Sequence, residues 1–300
     1  MSIASDWERL GRDWPNRAAS RFLRAGGIAW HVQDAGAGPG ILLLHGTGAA
    51  THSWEGVFPA LARTHRVLAP DLPGHGFTEA LPAAERGIAG VSRALRALLV
   101  ARDFAPEIVV GHSAGAAILA RMCLDGLLQP HLLLSLNGAL MPLRGMPGQV
   151  FAPLARALSG MSLVPRLFAW RARDPDTVDA LLDATGSRIG ATQRARYAAL
   201  LALPRHVAGV LGMMAAWDLR TLARDLPRLA TPLFLVACER DLTVPPAEAA
   251  RVRSCLPSAG YRLLTGLGHL GHEEDPARVA ALVEELLSSG AHTTRGSAGA

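Results

Sequence analysis

The sequence predicts an α/β fold: a mostly parallel sheet of eight strands, flanked by helices and interrupted by an inserted helical cap. Short apolar runs alternate with longer segments of helical periodicity, which is typical of βαβ units. The alternation stops after residue 137, where six prolines break a series of helical fragments, and it resumes at residue 232. We therefore expect residues 1–137 and 218–288 to form the core, 138–217 the cap and 289–300 a disordered tail.

The predicted sheet begins with a hairpin around Gly26-Gly27. Residues 21–25 and 28–33 flank this pair, and a two-residue glycine turn between apolar runs is a hairpin signal. Six further runs are short and apolar, as buried parallel strands are; they cover residues 41–44, 66–70, 107–110, 131–136, 232–237 and 261–264. Apolar residues at three- and four-residue spacing predict the helices, which cover residues 54–62, 90–101, 114–126, 247–255 and 277–288.

The charge of the chain argues against nucleic acid as a partner. The formal charge of +5 comes from arginine alone, because the chain contains no lysine. These arginines are scattered and are not interleaved with aromatic residues, unlike a nucleic-acid surface. A basic surface leaves weak attraction to an anionic membrane as an electrostatic expectation. No run of eighteen uncharged apolar residues occurs, so a membrane span is not expected.

Cysteine usage and the first residues predict a cytoplasmic protein. Cys123, Cys238 and Cys255 are an odd, widely spaced set without a CxxC motif. This pattern suits reduced thiols rather than a disulfide framework or a zinc site. The first fourteen residues carry acidic side chains and lack an apolar segment, so they do not predict a secretory signal.

The strongest motif is Gly111-His112-Ser113-Ala114-Gly115, which matches G-x-S-x-G. It follows a predicted strand and precedes an alanine-rich helix, which is the context of a nucleophile elbow. The strained turn requires small residues two before and two after the serine, and glycine occupies both positions. We therefore predict that Ser113 is a nucleophile.

A serine hydroxyl needs a base and a carboxylate, which follow it along the chain in this type of site. Asp241 lies in the loop after the predicted strand 232–237, at the sheet edge where active sites of open α/β sheets gather. Glu239 is a rival carboxylate in the same loop, and Asp241 also fits a turn or helix-capping aspartate. We expect Asp241 to be the acid of the triad.

His269 is the predicted base, because it lies just past the last strand in a glycine-rich loop. His272 is its competitor, and we expect it to order the loop or cap the final helix. The other histidines have no comparable arrangement and are expected to be surface or packing residues; they are His31, His52, His65, His112, His131, His206 and His292.

Two backbone N–H groups are expected to hold an oxyanion. The first is that of Ala114, next to the nucleophile, and the second is that of Thr47 in the loop His45-Gly46-Thr47-Gly48. Glycines in this loop let the backbone approach a substrate closely, although a plain glycine turn has the same composition.

The sequence predicts no metal and no cofactor. The histidines lack HExxH or paired ligand spacing, and residues 36–40 precede a strand instead of following one, so their glycines do not form a dinucleotide fingerprint.

These residues together resemble the α/β-hydrolase fold and superfamily over nearly the whole chain. The resemblance rests on His45-Gly46, the segment DLPGHG at residues 71–76, the elbow, Asp241 and His269. It implies an esterase-like mechanism, because a serine occupies the position where some relatives carry aspartate. Asn137 stands at an alternative position for the acid, which favours Asp241.

A closer resemblance is to the family of magnesium-chelatase accessory proteins of bacteriochlorophyll biosynthesis. It is carried by residues 13–17, 30–33, 45–49, 51–54 and 167–170. The resemblance implies a role near magnesium insertion into protoporphyrin IX, with magnesium chelatase as a partner and a cytoplasmic location peripheral to the photosynthetic membrane. The sequence leaves two functions open, which are a serine hydrolase and a non-catalytic porphyrin-binding or chelatase-assisting protein.

The apolar residues of the cap favour a small apolar substrate, and the resemblance implies a porphyrin-like one. The same residues also suit packing of the cap against the core. The predicted pocket is lined by His45, Gly46, His112, Phe151, Phe168, Trp170, Met213 and Trp217.

Overall fold

The computed structural model describes residues 2–142 and 163–288, which contain an eight-stranded sheet. Its strands are β1 (Ser20–Ala25), β2 (Ile28–Ala35), β3 (Gly40–Leu44), β4 (Arg66–Pro70), β5 (Ile108–His112), β6 (Leu132–Leu136), β7 (Leu233–Cys238) and β8 (Gly260–Leu264). Their order is β1-β2-β4-β3-β5-β6-β7-β8. The pairs β1/β2 and β2/β4 are antiparallel and the other five pairs are parallel. The predicted fold class is confirmed.

Helices flank the sheet and also fill the stretch between β6 and β7. Those of the described residues are α1 (Ile3–Leu10), α2 (Val57–Leu61), α3 (Ile88–Ala101), α4 (Ala114–Leu124), α5 (Leu163–Arg171), α6 (Pro175–Asp183), α7 (Ala191–Leu201), α8 (Pro204–Ala215), α9 (Arg220–Asp225), α10 (Ala247–Cys255), α11 (Gly271–Glu274) and α12 (Pro276–Ser288).

The hairpin at the start of the sheet is confirmed. Gly26 and Gly27 both have positive φ, at 56° and 84°, which a tight two-residue turn requires. The two strands pair from Ser20 opposite Gln33 to Ala25 opposite Ile28. Strand β2 then pairs with β4, which joins the hairpin to the parallel part of the sheet.

The sheet separates two apolar layers, because successive side chains of a strand point to opposite faces. In β3, Leu42 and Leu44 pack in one layer with α3 and α4, whereas Ile41 and Leu43 pack in the other with α2 and α12. All four side chains are fully or almost fully buried. This burial on both faces explains why the parallel strands have continuous apolar sequences.

Helices α1, α9 and α11 were not predicted, and α2 is shorter than predicted. Half of the eight residues of α1 are polar; the Ser2 side chain caps this helix and the Trp7 ring contacts Phe22 and Phe77. The helix predicted at residues 54–62 begins only at Val57. Proline is tolerated only in the first turn of a helix, so Pro59 prevents an earlier start.

The stretch between β6 and β7 is helical where the structure describes it, with α5, α6, α7 and α8 before α9. Residues 143–162 of the predicted cap and the predicted tail at 289–300 lie outside the described residues, so the cap boundaries stay a prediction. No single helix in residues 2–142 or 163–288 is long and apolar enough to cross a membrane, and only the bent pair of α7 and α8 passes that test together.

Candidate active site

The predicted nucleophile occupies a strained turn between β5 and α4. Ser113 has φ 50° and ψ −116°, whereas non-glycine residues rarely adopt positive φ. Its N–H donates to Leu136 O of β6 at 3.0 Å, which ties the turn to the sheet. Helix α4 begins at Ala114, so the Ala114 N–H has no acceptor within the helix. Such strain is characteristic of functional sites.

The flanking glycines are required by packing, as the motif predicted. A Cβ on Gly111 would lie 2.5 Å from the backbone of Ala116. A Cβ on Gly115 would lie 2.2 Å from the carbonyl oxygen of Leu44. Real Cβ atoms do not approach backbone atoms this closely, so any larger residue would push α4 away from the sheet.

The loop after β7 brings Asp241 to His269. The carboxylate oxygen Oδ1 of Asp241 accepts the N–H groups of Thr243 and Val244, each at 2.8 Å. The other oxygen, Oδ2, lies 2.7 Å from Nδ1 of His269. Asp241 is therefore both the turn-forming aspartate and the partner of the histidine, and both side chains are buried.

The loop that carries His269 is fixed against the elbow. The carbonyl oxygen of His269 accepts a hydrogen bond from Nε2 of His112 at 2.9 Å. It accepts a second one from the side-chain amide of Asn137 at 2.8 Å. Asn137, which has a φ of 47°, also accepts the N–H of Cys238 at 2.8 Å. His112 and Asn137 thus connect the ends of β5, β6 and β7 to this loop.

The predicted nucleophile and the predicted base are not hydrogen-bonded to each other in this structure. Among residues 2–142 and 163–288, the Ser113 hydroxyl makes no hydrogen bond. Catalytic hydrogen bonds are often long before substrate binds, so this geometry does not exclude the pair. The loop contact through His112, the residue before Ser113, keeps the two loops adjacent.

Glu239 and His272, the alternatives to Asp241 and His269, have other hydrogen-bond partners. The Glu239 carboxylate accepts the N–H of Gly266 at 2.8 Å. His272 lies in α11, where its Nε2 is 2.5 Å from the hydroxyl of Ser53. Burial lowers the pKa of His272 to about 3, so this imidazole stays neutral. Neither rival takes part in the Asp241–His269 pair.

The predicted oxyanion loop follows β3 and lies against the elbow. A Cβ on Gly46 would lie 2.9 Å from Nδ1 of His112 and 3.0 Å from the Cβ of Ser113, so a larger residue here would displace the elbow side chains. In the part of the chain that the structure describes, no acceptor occupies the N–H of Thr47. These positions suit the two oxyanion donors that the sequence predicts, Thr47 and Ala114.

Two buried histidines fix the predicted oxyanion loop: His45 at its start and His206 from α8. His45 donates from Nδ1 to Gly46 O at 2.8 Å and accepts the Leu72 N–H at Nε2. His206 of α8 accepts the Gly76 N–H and donates from Nε2 to Gly48 O at 3.2 Å. Each of these two imidazole rings therefore needs one nitrogen that carries a proton and one that does not. Burial lowers the pKa of both histidines, which keeps them neutral and suited to this role.

Asp71 organises the same region from the end of β4. Its carboxylate accepts the N–H groups of Thr51 and Phe77 and lies 2.8 Å from Nδ1 of His31. These partners, with burial opposing them, hold the pKa of Asp71 well below its ordinary value. The carboxylate therefore fixes the segment 71–77 and the start of the turn at Thr51–Trp54.

Of the seven histidines expected to be surface or packing residues, five are buried and one is exposed. The described residues contain nine buried histidines in all, most of which have polar partners or contact one another. The buried set is His31, His45, His52, His65, His75, His112, His206, His269 and His272. His131 is exposed and His292 lies outside the described residues.

Sequence reasoning missed the positioning residues Asn137, His206 and Asp71. Asn137 was considered only as a position that lacks an acid. The one available signal was its position directly after a predicted strand and before a glycine. Polar residues at this end of a strand lie at the edge of the sheet where active sites form. His206 had no local signal, since its partners are 130 and 158 residues away.

The predicted pocket residues lie in different environments. His45 and His112 are buried beside the elbow, and Met213 is buried in the core layer that contains α3 and α4. Trp217 is partly buried against that layer. Phe168 and Trp170, both on α5, are more than half exposed. Phe151 lies outside the described residues.

Residues 2–142 and 163–288 contain no group of three or more histidine, cysteine or acidic side chains placed to hold a metal ion. Two neighbouring buried side chains, Glu273 and Tyr197, have a raised pKa. Burial raises the pKa of Glu273 to about 7, and burial together with Glu273 holds the pKa of Tyr197 well above its ordinary value. The Tyr197 hydroxyl donates to Glu273 at 2.6 Å.

Residues 41–282 match the family described as the alpha/beta hydrolase family, a span that includes the elbow and the loops of Asp241 and His269. The chain belongs to this family. Among curated proteins, the chain is similar to the magnesium-chelatase 30 kDa subunit of Rhodobacter capsulatus, with 39% identity over 270 residues. That alignment covers 89% of this chain and 94% of the relative. The predicted resemblance is confirmed.

Solved structures of other proteins share the fold. An alpha/beta hydrolase fold protein from Burkholderia ambifaria superposes with a TM-score of 0.75 and 21% identity, covering 89% of this chain and 97% of that one. A serine hydrolase involved in carbazole degradation superposes with a TM-score of 0.73 and 21% identity, covering 90% and 98%. At this level of identity the comparison concerns the fold alone.

Proposed function

We propose that this protein is a serine hydrolase that acts on an ester or a related acyl substrate through Ser113, His269 and Asp241. One observation carries the proposal: Ser113 has the strained backbone of a nucleophile elbow, beside a loop in which His269 lies 2.7 Å from Asp241. A buried carboxylate at Nδ1 leaves Nε2 of the imidazole to accept a proton.

In the proposed mechanism, the Ser113 hydroxyl attacks the carbonyl carbon while His269 takes its proton. The N–H groups of Thr47 and Ala114 donate to the oxyanion of the tetrahedral intermediate. His269 then gives the proton to the leaving group, and Asp241 stabilises the imidazolium that forms in between. A water molecule, activated by the same histidine, releases the acyl group from the serine.

The relative suggests the substrate class and the pathway. Because that relative is named as a magnesium-chelatase subunit, we place the reaction near magnesium insertion into a porphyrin, with an apolar or porphyrin-like substrate. Exposed aromatic side chains on α5, Phe168 and Trp170, are available to a flat apolar ring. Exposed Arg166, Arg171 and Arg173 suit carboxylates, since the guanidinium donates two parallel hydrogen bonds. A contact with magnesium chelatase belongs to the same proposal.

The alternative is a porphyrin-binding or chelatase-assisting protein that does not use the triad. The name of the same relative favours it, because a chelatase subunit need not hydrolyse anything. Such a protein needs the pocket, whereas a hydrolase also needs the Ser113 hydroxyl.

Wild type and Ser113→Ala, compared side by side, separate the two functions. We expect Ser113→Ala to lose turnover of p-nitrophenyl acetate by several orders of magnitude. Protoporphyrin IX titrations, followed by tryptophan fluorescence, are expected to give equal binding by both proteins. In a strain that lacks this protein, rescue of pigment synthesis by wild type alone supports the hydrolase. Equal rescue by both proteins would exclude catalysis as the essential role.

A further inference from the structure

The turn Thr185-Gly186-Ser187, which follows α6, lies between the two loops of the proposed acid and base. The carbonyl oxygen of Thr185 accepts the N–H of Leu242 at 3.2 Å and the N–H of His269 at 3.4 Å. Leu242 directly follows Asp241. One carbonyl group thus bridges the loop that carries the carboxylate and the loop that carries the imidazole.

Ser187 makes the next contact to the histidine loop. Its hydroxyl oxygen accepts the N–H of Leu270, the residue after His269, at 2.8 Å. Ser187 is only 3% exposed, so water cannot replace this acceptor if the hydroxyl is removed. A buried N–H without an acceptor is costly, and the loop would have to move to satisfy it.

The backbone of the turn packs directly against the backbones of both loops. Gly186 has φ +77°, and a Cβ there would lie 1.9 Å from the carbonyl oxygen of Arg240. A Cβ on Gly268 would lie 2.3 Å from the carbonyl oxygen of Gly186. Glycines on both sides of the contact let the backbones of the turn and the histidine loop touch.

The turn is attached firmly to the inserted helices. The Gly186 N–H donates to Asp183 O at 2.9 Å, which closes the end of α6, and the Ser187 N–H donates to the Thr185 hydroxyl at 3.3 Å. Farther along, the Gln193 side chain of α7 donates to Glu273 O at 2.8 Å. The inserted helices thus contact the chain around His269 through the turn and again through α7.

We propose that the turn Thr185–Ser187 is a positioning element that sets the distance between Asp241 and His269, so that the inserted helices control the geometry of the acid–base pair. Its consequence for turnover rests on the proposed hydrolase function. Its effect on the Asp241–His269 hydrogen bond does not, because that bond exists whether or not the protein is an enzyme.

Gly186→Ala is the primary test, with Gly27→Ala as the matched control. Both glycines have positive φ, at +77° and +84°, but a Cβ on Gly27 meets nothing within 4 Å. Both variants therefore carry backbone strain, and only Gly186→Ala also displaces the turn. Gly27 lies in the β1–β2 hairpin, at the edge of the sheet.

Two measurements report how these substitutions change the Asp241–His269 hydrogen bond and the reactivity of Ser113. The proton NMR resonance of the His269 Nδ1–H group, assigned by its loss in Asp241→Asn, reports the hydrogen bond directly. The rate of fluorophosphonate labelling at Ser113 reports reactivity. We expect Gly186→Ala to shift or broaden the resonance and to slow labelling about a hundredfold, as small misplacements of catalytic groups do. Gly27→Ala should leave both unchanged.

Ser187→Ala and Ser187→Thr provide a second pair in case Gly186→Ala does not fold. Ser187→Ala removes the acceptor for Leu270, whereas threonine retains a hydroxyl, so the resonance should change in the first variant and recover in the second. An unchanged resonance in every folded variant of the turn would overturn the proposal. If wild type is not labelled, the hydrolase proposal fails, while the resonance still decides the role of the turn.

Discussion

At the scale of single residues, two neutral imidazole rings lie near the proposed base, His269. The His112 ring lies 4.7 Å from that of His269 and 4.4 Å from that of His272, between centroids. Burial, together with the neighbouring His272 and His269, holds the pKa of His112 well below its ordinary value. His272 is likewise kept neutral, so neither neighbour places a positive charge beside His269, which accepts a proton in the proposed mechanism.

The roles of the two histidines predict opposite mutant behaviour. His269→Ala removes the proton acceptor and should lower kcat/KM by several orders of magnitude. His272→Ala removes the contacts of this ring with Ser53, Trp54 and His112. It leaves the Asp241–His269 pair in place, so we expect a substantial part of the turnover to remain, with a lower thermal stability. Steady-state kinetics and thermal unfolding of both variants check this. Loss of turnover in His272→Ala together with activity in His269→Ala would transfer the role to His272.

At the scale of elements, the elbow depends on close packing of α4 on β3. Gly115→Ala places a Cβ 2.2 Å from Leu44 O and 2.7 Å from His45 O, so the helix must move away from the strand. We expect a loss of about 1–3 kcal/mol in the free energy of unfolding. Fluorophosphonate labelling should slow as well, because the Ala114 N–H moves with the helix.

Gly212→Ala in α8 is the matched control for this change. Its new Cβ would meet only the guanidinium and side chain of Arg86, which can move aside. Alanine is favoured over glycine within a helix, so this variant should be as stable as wild type or slightly more stable. Equal effects of the two substitutions in urea unfolding would contradict the packing argument.

Elements with a strong local pattern were predictable, and contacts between distant segments were not. Strand β3 and the Gly26-Gly27 hairpin follow from apolar runs and turn residues, and the predicted helix 247–255 matches α10. Of the site, the Asp241–His269 contact was predicted from motif order. The bridges by Asn137 and Thr185 join residues far apart in sequence, and no local pattern records such tertiary hydrogen bonds.

At the scale of the whole molecule, the buried histidines make stability sensitive to acid. The pKa is lowered, chiefly by burial, in six of them: His45, His52, His75, His112, His206 and His272. Unfolded histidines bind protons near pH 6.5, whereas the folded ones with a pKa of about 3 do not. The unfolded state therefore binds more protons as the pH falls from about 6.5 to about 3, and stability decreases.

The contribution of one buried histidine, His52, to this loss of stability at low pH can be measured. Neither of its ring nitrogens has a hydrogen-bond partner among the described residues, so His52→Leu sacrifices no such bond. With a pKa of about 3, this residue should cost about 2 kcal/mol of stability between pH 8 and pH 5. His52→Leu should reduce the loss on acidification by about that amount in urea unfolding. The exposed His131→Gln should not, and equal pH dependence of both variants would contradict the account.

Labelling by a fluorophosphonate probe decides whether Ser113 is an activated nucleophile, as we propose. The probe forms a covalent bond only with a serine whose hydroxyl is activated, and mass spectrometry of the digested protein locates the modified residue. We expect modification of wild type at Ser113, none of Ser113→Ala, and strongly slowed modification of His269→Ala. An unmodified wild type, or a Ser113→Ala protein modified at the same rate, would contradict the proposal.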